Sequence, residues 1–172
     1  MTDAKPLGMY EASIPVFVRH LENLAVFLKK GADDAAARNI DPAVFLNARL
    51  APDMFALTRQ VQIATDMCKA FPCRLTGAEP PSYPDTETGF DELQARIAKT
   101  IAHLKTFTPA QIDGREGASV VFPRRGGREW RFSGADYLMH YVTPNLLFHI
   151  TTAYAILRHN GVNLGKADFL GM

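Results

Sequence analysis

Four long segments of the chain carry apolar residues at alternating steps of three and four, the pattern of a helix that buries one face. They span about residues 7–30, 52–71, 90–104 and 133–159. We expect Gly31 to end the first segment and Pro52 to lie in the first turn of the second. The chain is therefore predicted to be all-α, with its four long helices packed as a four-helix bundle.

One stretch between the third and fourth helices departs from the helical pattern. Residues 120–122 and 130–132 are strand-forming types, and Gly126 and Gly127 lie between them as a tight-turn pair. The sequence therefore predicts a small β-hairpin inserted between helices three and four. Because two strands alone are marginally stable in water, we expect the hairpin to lean on the helices.

Proline positions predict further local structure. The pairs Asp41-Pro42 and Thr108-Pro109 each indicate a short helix that begins with a polar cap. Residues 79–89 contain three prolines and are predicted to form a loop. Pro144 lies inside the fourth helix and leaves the carbonyl of His140 without its usual donor, so we expect the helix to bend there.

Length and composition narrow the class of protein. The chain has 172 residues, of which 47% are hydrophobic and 22% charged, which predicts one globular domain over residues 1–172. Lys and Arg number 19 against 18 for Asp and Glu, so no basic surplus indicates a nucleic-acid partner. No apolar run has the ~20 residues that a membrane crossing needs, and residues 1–6 lack the apolar core of a signal peptide. With only two cysteines, we expect a cytoplasmic protein.

The fourth helix has a face whose middle is polar. Asn145 and His149 are four residues apart, so their side chains lie one turn above the other, as two ligands of one metal ion or one small molecule do. Alternatively, His149 is a core histidine that is bonded to a neighbouring carbonyl or carboxylate. The residues along this face are Leu138, Tyr141, Asn145, His149, Thr152 and Ile156.

The second helix offers a matching face that includes Asp53 and Gln60. Gln60 is expected to point inward at mid-bundle height, and Asp53 to lie near the mouth of the bundle. Asp53 has an alternative role, since a carboxylate at a helix N-terminus is stabilised by the helix dipole. The candidate ligand-binding set is thus Gln60, Asn145, His149, Asp53 and Thr152. His149 is the candidate catalytic acid or base, because its reference pKa of ~6.5 lies near cellular pH.

Residues 149–161, which end in Leu-Arg-His-Asn-Gly, resemble the last helix of the DinB/YfiT-like superfamily, whose members are regarded as metalloenzymes. In that helix a Leu-Arg-x-Asn-Gly pattern follows a metal-binding histidine. Residues 49–54, 59–62 and 165–171 and the pair Pro144-Asn145 are similar to one uncharacterised branch, a domain-of-unknown-function family. The resemblance covers essentially the whole chain.

The resemblance implies a DinB-like four-helix bundle that often forms a homodimer. It also implies a divalent metal held by three histidines, one from helix two and two spaced four apart on helix four. Characterised relatives include transferases and isomerases that use low-molecular-weight thiols such as mycothiol or bacillithiol.

This chain departs from that metal-binding pattern. His149 matches the later position on helix four, but Asn145 stands four residues earlier and residues 52–71 contain no histidine, with Gln60 nearest in register. One histidine and two carboxamides bind zinc or nickel poorly, whereas a carboxylate such as Asp53 would favour a hard cation. We therefore assign no cofactor, keep a divalent metal at His149, Asn145 and Gln60 as the less favoured alternative, and expect a polar pocket at the same place.

Three functions stay open at this stage, and the residues do not decide whether the chain is an enzyme. The favoured one is small-molecule binding or acid/base chemistry at His149, with Asn145 and Gln60 orienting the ligand. Next comes a non-catalytic homodimeric scaffold, in which the polar residues set the helix register. Last comes a metal-dependent thiol transferase or hydrolase of the superfamily type.

Overall fold

Four long helices and a late β-hairpin make up the fold, as the sequence predicts. The computed structural model describes residues 7–124 and 126–172, and the N-terminal signal-peptide prediction falls on residues outside these ranges. In chain order the elements are α1 (Ile14–Ala37), α2 (Pro42–Leu46), α3 (Leu57–Thr76), α4 (Phe90–Leu104), α5 (Pro109–Ile112), β1 (Ser119–Arg124), β2 (Arg128–Ser133), α6 (Gly134–Asp136), a π-helical turn (Tyr137–Val142), α7 (Thr143–His159) and α8 (Lys166–Leu170). Within the described ranges, no helix has the length and apolar content that crossing a membrane requires.

The core of the protein lies between the four long helices. α3 and α7 form their most extensive packed pair, while α4 packs against both α1 and α3. Each long helix buries most of its apolar stripe, which removes large apolar side chains from water and supplies the main driving force for folding. Fully buried members of these stripes are Phe17, Leu21, Leu24, Leu57, Val61, Phe71, Leu93, Ile150, Ala153 and Ile156.

Helix α1 continues past the glycine that was expected to end it. Gly31 is buried inside α1, and the prediction of a stop there is wrong. A Cβ atom at this position would lie 2.9 Å from Cδ2 of Leu157 and 3.3 Å from Cε1 of Phe90. The missing side chain therefore lets α1 approach α7 and α4 closely, and it does not end the helix.

Helix α3 begins at Leu57, five residues later than the proline signal indicates. Pro52 and Asp53 lie in an exposed turn before it, so the prediction that Asp53 caps or lines this helix is wrong. The start is set instead by two bonds to the preceding segment. The backbone N–H of Leu57 donates to the carbonyl of Ala48 at 3.0 Å, and the Thr58 hydroxyl donates to the carbonyl of Leu46 at 3.1 Å.

The hairpin leans on the helices through aromatic rings. Strands β1 and β2 are antiparallel, with Phe122 opposite Trp130, and Gly126 and Gly127 both have the positive φ of a tight turn. The Phe122 ring meets Tyr137 and Tyr141 of the π-helical turn at centroid distances of 5.5 Å and 5.4 Å. Aromatic pairs at this spacing stabilise beyond their buried area, which explains how so short a sheet stays folded.

The bend expected at Pro144 takes the form of the π-helical turn that precedes it. The N–H of Thr143 donates to the carbonyl of Leu138, five residues back, and the turn places the Tyr137 and Tyr141 rings 5.8 Å apart. Asn145 supplies a side-chain donor to the carbonyl of Tyr141 at 2.6 Å. The wider turn thus accommodates the proline without an unsatisfied stretch of helix.

Arg96 of α4 holds the proline-rich loop against the bundle. Its side chain is only 2% exposed, and it donates four hydrogen bonds and makes a further ion pair with Asp85. Burial alone would raise the pKa of Glu87, but hydrogen bonds from Arg96 and Gln62 outweigh it and lower that pKa. The acceptors around Arg96 are the Thr65 hydroxyl, the Pro84 carbonyl and the carboxylates of Asp66, Asp85 and Glu87, at 2.8 to 3.1 Å.

Substitution of Arg96 by Gln is expected to lower the free energy of unfolding by about 3 kcal/mol, because it removes a buried cation from the half-buried carboxylates of Asp66 and Glu87. Urea denaturation measures the change. Lys105→Gln is the control, since its 3.8 Å pair with Glu22 is exposed and should contribute less than about 1 kcal/mol. Equal, small losses in the two variants would show that Arg96 does not hold the loop.

Candidate functional site

The structure brings two of the predicted site residues into direct contact across the α3–α7 interface. Nδ1 of His149 lies 2.7 Å from Oε1 of Gln60. Both residues are buried, at 8% and 1% exposure. The inward register that the sequence indicated for these two side chains is therefore what the helices adopt.

The surroundings of Gln60 determine which nitrogen of His149 carries the proton. Nε2 of Gln60 donates to the backbone carbonyl of Phe55 at 2.9 Å, so the amide oxygen faces the imidazole. That oxygen can only accept, and Nδ1 of His149 must therefore be the protonated nitrogen. Nε2 of the neutral imidazole keeps its lone pair, and none of the described residues donates to it.

The imidazole is held neutral by its environment. Burial, and to a smaller extent the positive charge of Arg59, lower the pKa of His149 from its ordinary 6.5 to about 4. A charged imidazolium would be poorly solvated between the helices. At neutral pH His149 therefore presents a fixed hydrogen-bond acceptor at Nε2.

Two exposed aromatic rings and one cation lie around this pair. Phe148 is 57% exposed, and its ring stands edge-on to that of His149 at 5.2 Å. Phe55 is 55% exposed, with the guanidinium of Arg59 6.0 Å from its ring centroid. Arg59 also pairs with Asp85 of the proline-rich loop. The sequence analysis did not place Phe55 or Phe148 in the site, although both are large apolar residues outside the buried stripes.

The other predicted site residues are less directly engaged. Asn145 donates to the carbonyl of Tyr141, and the hydroxyl of Thr152 donates to the carbonyl of Phe148 at 2.7 Å. Both residues thus bond to their own helix, one turn to either side of His149. Oδ1 of Asn145 receives no hydrogen bond from a described residue. Asp53 lies in its exposed turn, outside this constellation.

The donor set does not suit a divalent metal ion. Oε1 of Gln60 already accepts from His149, and the Asn145 amide is turned to its own helix. In residues 7–124 and 126–172, no three His, Cys, Asp or Glu side chains are grouped so as to hold a metal. One imidazole nitrogen with neutral amide oxygens binds borderline metals weakly, so no metal-dependent step is derived for this site.

The cavities of the described chain lie away from the His149–Gln60 pair. Five well-formed cavities of the described chain, with volumes from 190 to 480 Å³, are lined by other residues. The polar pocket expected beside His149 is not one of these five cavities.

Comparison with known proteins agrees with the architecture. The model of a family described as a domain of unknown function, DUF1993, matches residues 9–170. A solved structure, described as the crystal structure of a DinB family member protein from Shewanella denitrificans, is 39% identical in sequence with a TM-score of 0.86. The match covers 95% of this chain and 92% of that chain. No curated protein matches the chain.

The lowered pKa of His149 should make stability depend on pH. Between pH 6.5 and 4 the unfolded chain binds a proton at His149 that the folded chain excludes. The free energy of unfolding therefore falls as pH falls through this window, and the contribution of neutral His149 is fully present above it. Because the ring has some contact with solvent, we expect the loss of unfolding free energy on acidification to be smaller by about 2 kcal/mol in His149→Gln than in the native chain. Urea titrations at pH 7 and 4.5 measure the difference, and parallel losses in the two proteins would contradict the neutral, buried imidazole.

Proposed function

This chain belongs to the DUF1993 family, and from that premise we propose that it binds a small molecule on the surface above the His149–Gln60 pair. Nε2 of His149 accepts a hydrogen bond from a hydroxyl or N–H group of the ligand. The observation that supports this most directly is the bond that Nδ1 of His149 donates to Gln60, which fixes the tautomer. Nε2 is not among the buried atoms left without a partner in the described residues, so it is open to solvent and can accept a donor from a ligand.

The neighbours of His149 indicate the rest of the ligand. Phe55 and Phe148 expose large apolar rings that lose unfavourable contact with water when a flat apolar body covers them. Arg59 stands beside Phe55 and adds a cation to the edge of the same surface. A small aromatic molecule that carries one hydroxyl or N–H donor matches this arrangement.

Binding fits His149 better than acid/base catalysis does. A general acid or base works best with a pKa near the working pH, and the pKa of His149 lies at about 4. At pH 7 almost none of the His149 rings carry the extra proton that a general acid donates, and the neutral ring is a weak base. The role we propose for His149 is therefore orientation of a ligand, with Oδ1 of Asn145 as a further acceptor one turn away.

A homodimeric scaffold is the second candidate, and the exposure of Phe55 and Phe148 favours it too. Two copies that met on this face would cover the same rings and enclose the histidine edge. Sedimentation equilibrium of the native chain and of Phe148→Ser separates the candidates. A dimer that Phe148→Ser dissociates, with no ligand response in either form, would favour the scaffold over the binding site.

Thermal melting with phenols and indoles, each paired with its O- or N-methyl analogue, tests the binding proposal. At about 100 times the dissociation constant, the ligand with a free donor should raise the melting temperature of the native chain by about 5–10 °C. We expect its affinity to fall about tenfold in His149→Phe and for the methylated analogue, because each loses the hydrogen bond. His159→Phe, which changes an exposed histidine on the same helix, should behave like the native chain. Equal shifts in His149→Phe would contradict the proposal.

A further inference from the structure

A second polar site lies away from His149, where α3 ends beside the hairpin. A cavity of 190 Å³ separates residues 77–80, which follow α3, from strand β1. Arg74, Glu79 and Phe122 are among its lining residues. None of the residues that form the His149 site lines this cavity, so its chemistry is independent of the function proposed above.

Arg74 is held in one orientation without a counter-ion. Its guanidinium carbon lies 4.0 Å from the centroid of the Phe122 ring, which sets the plane of the group. Nη1 donates to the hydroxyl of Tyr137 at 3.1 Å. Burial raises the pKa of Tyr137, so that phenol stays neutral and accepts the bond without balancing the charge. No carboxylate of the described residues lies within 4.0 Å of the Arg74 nitrogens.

The contrast with Arg96 shows what is unusual about Arg74. Arg96 donates four hydrogen bonds inside the protein and faces three carboxylates. Arg74 uses one donor toward a described residue and lines a cavity with the rest of its fork available. A planar guanidinium fork matches the two oxygens of a carboxylate in a bidentate pair.

We propose that this cavity binds a small zwitterion of the amino-acid class, with its carboxylate on Arg74 and its ammonium group toward Glu79. The lining carries one positive and one negative side chain, so a simple anion meets repulsion from Glu79, whereas a zwitterion satisfies both charges. The volume is below the ~300–1,000 Å³ of sites for larger ligands, which excludes a nucleotide. Phe122, Pro80 and Pro123 supply apolar walls for a short aliphatic side chain.

Nuclear magnetic resonance titration of the full ¹⁵N-labelled chain tests this site with three probes at matched ionic strength. L-alanine carries both charges, acetate carries the negative one and ethylammonium the positive one. We expect saturable shifts of the Arg74 Nε–H signal and of the Ala78 and Glu79 amides with L-alanine. Acetate and ethylammonium should bind about tenfold more weakly, because each makes only one of the two charge-assisted contacts.

Three variants assign the contacts. Arg74→Lys keeps a cation over Phe122 but removes the fork, and should weaken L-alanine binding about tenfold. Glu79→Gln should abolish the preference for L-alanine over acetate. Arg124→Gln is the matched control, because Arg124 lies in the same hairpin 4.3 Å from the Trp130 ring centroid and does not line the cavity.

Three results would overturn the proposal. The first is the absence of saturable shifts at Arg74 with all three probes in the folded native chain. The second is L-alanine binding that is unchanged in Arg74→Lys while its melting temperature falls, which would make Arg74 only a support for the hairpin. Binding of acetate as tight as that of L-alanine would exclude the zwitterion class.

Discussion

The hydrogen bond between Gln60 and His149 constrains both the architecture and the chemistry of this protein. It crosses the most extensive helix interface, where a polar group left unpaired would be costly. Each partner has one geometry that satisfies it, so α3 and α7 must meet in the observed register. The same bond directs the Nδ1 proton of His149 inward and leaves the lone pair of Nε2 unused by the described residues, which is why one structural contact also sets what this histidine can offer a ligand.

The sequence predicts the bundle and the hairpin because apolar spacing reports directly on which face an element buries. It misplaces the limits of two helices for one shared reason. Gly31 and Pro52 are local signals for a stop and a start, but contacts distant in sequence decide both positions. Gly31 is needed where three helices converge, and α3 starts where bonds to the segment after α2 place it. Single-residue signals carry no information about such neighbours.

The site was predictable to the same partial extent. Helical spacing places Gln60 and His149 on facing stripes, and the structure joins them. Helical spacing does not reveal that Asn145 and Thr152 donate to carbonyls of their own helix. Amide and hydroxyl groups bond to local and to distant acceptors at similar energies, so spacing alone does not decide between them. The exposed rings of Phe55 and Phe148 were also missed, since apolar composition alone does not separate core residues from surface ones.

The π-helical turn from Tyr137 to Val142 sets the rotation of Tyr137 about its helix axis. A π-turn holds one residue more than the α-helical path it replaces, and one residue corresponds to about 100° of rotation about the axis. Deletion of a single residue there would restore a regular helix while turning Tyr137, and the hairpin with it, away from Arg74. The phenol of Tyr137 and the guanidinium of Arg74 would then separate, although neither residue had been substituted. The length of this turn thus fixes the contact that orients Arg74 beside its cavity.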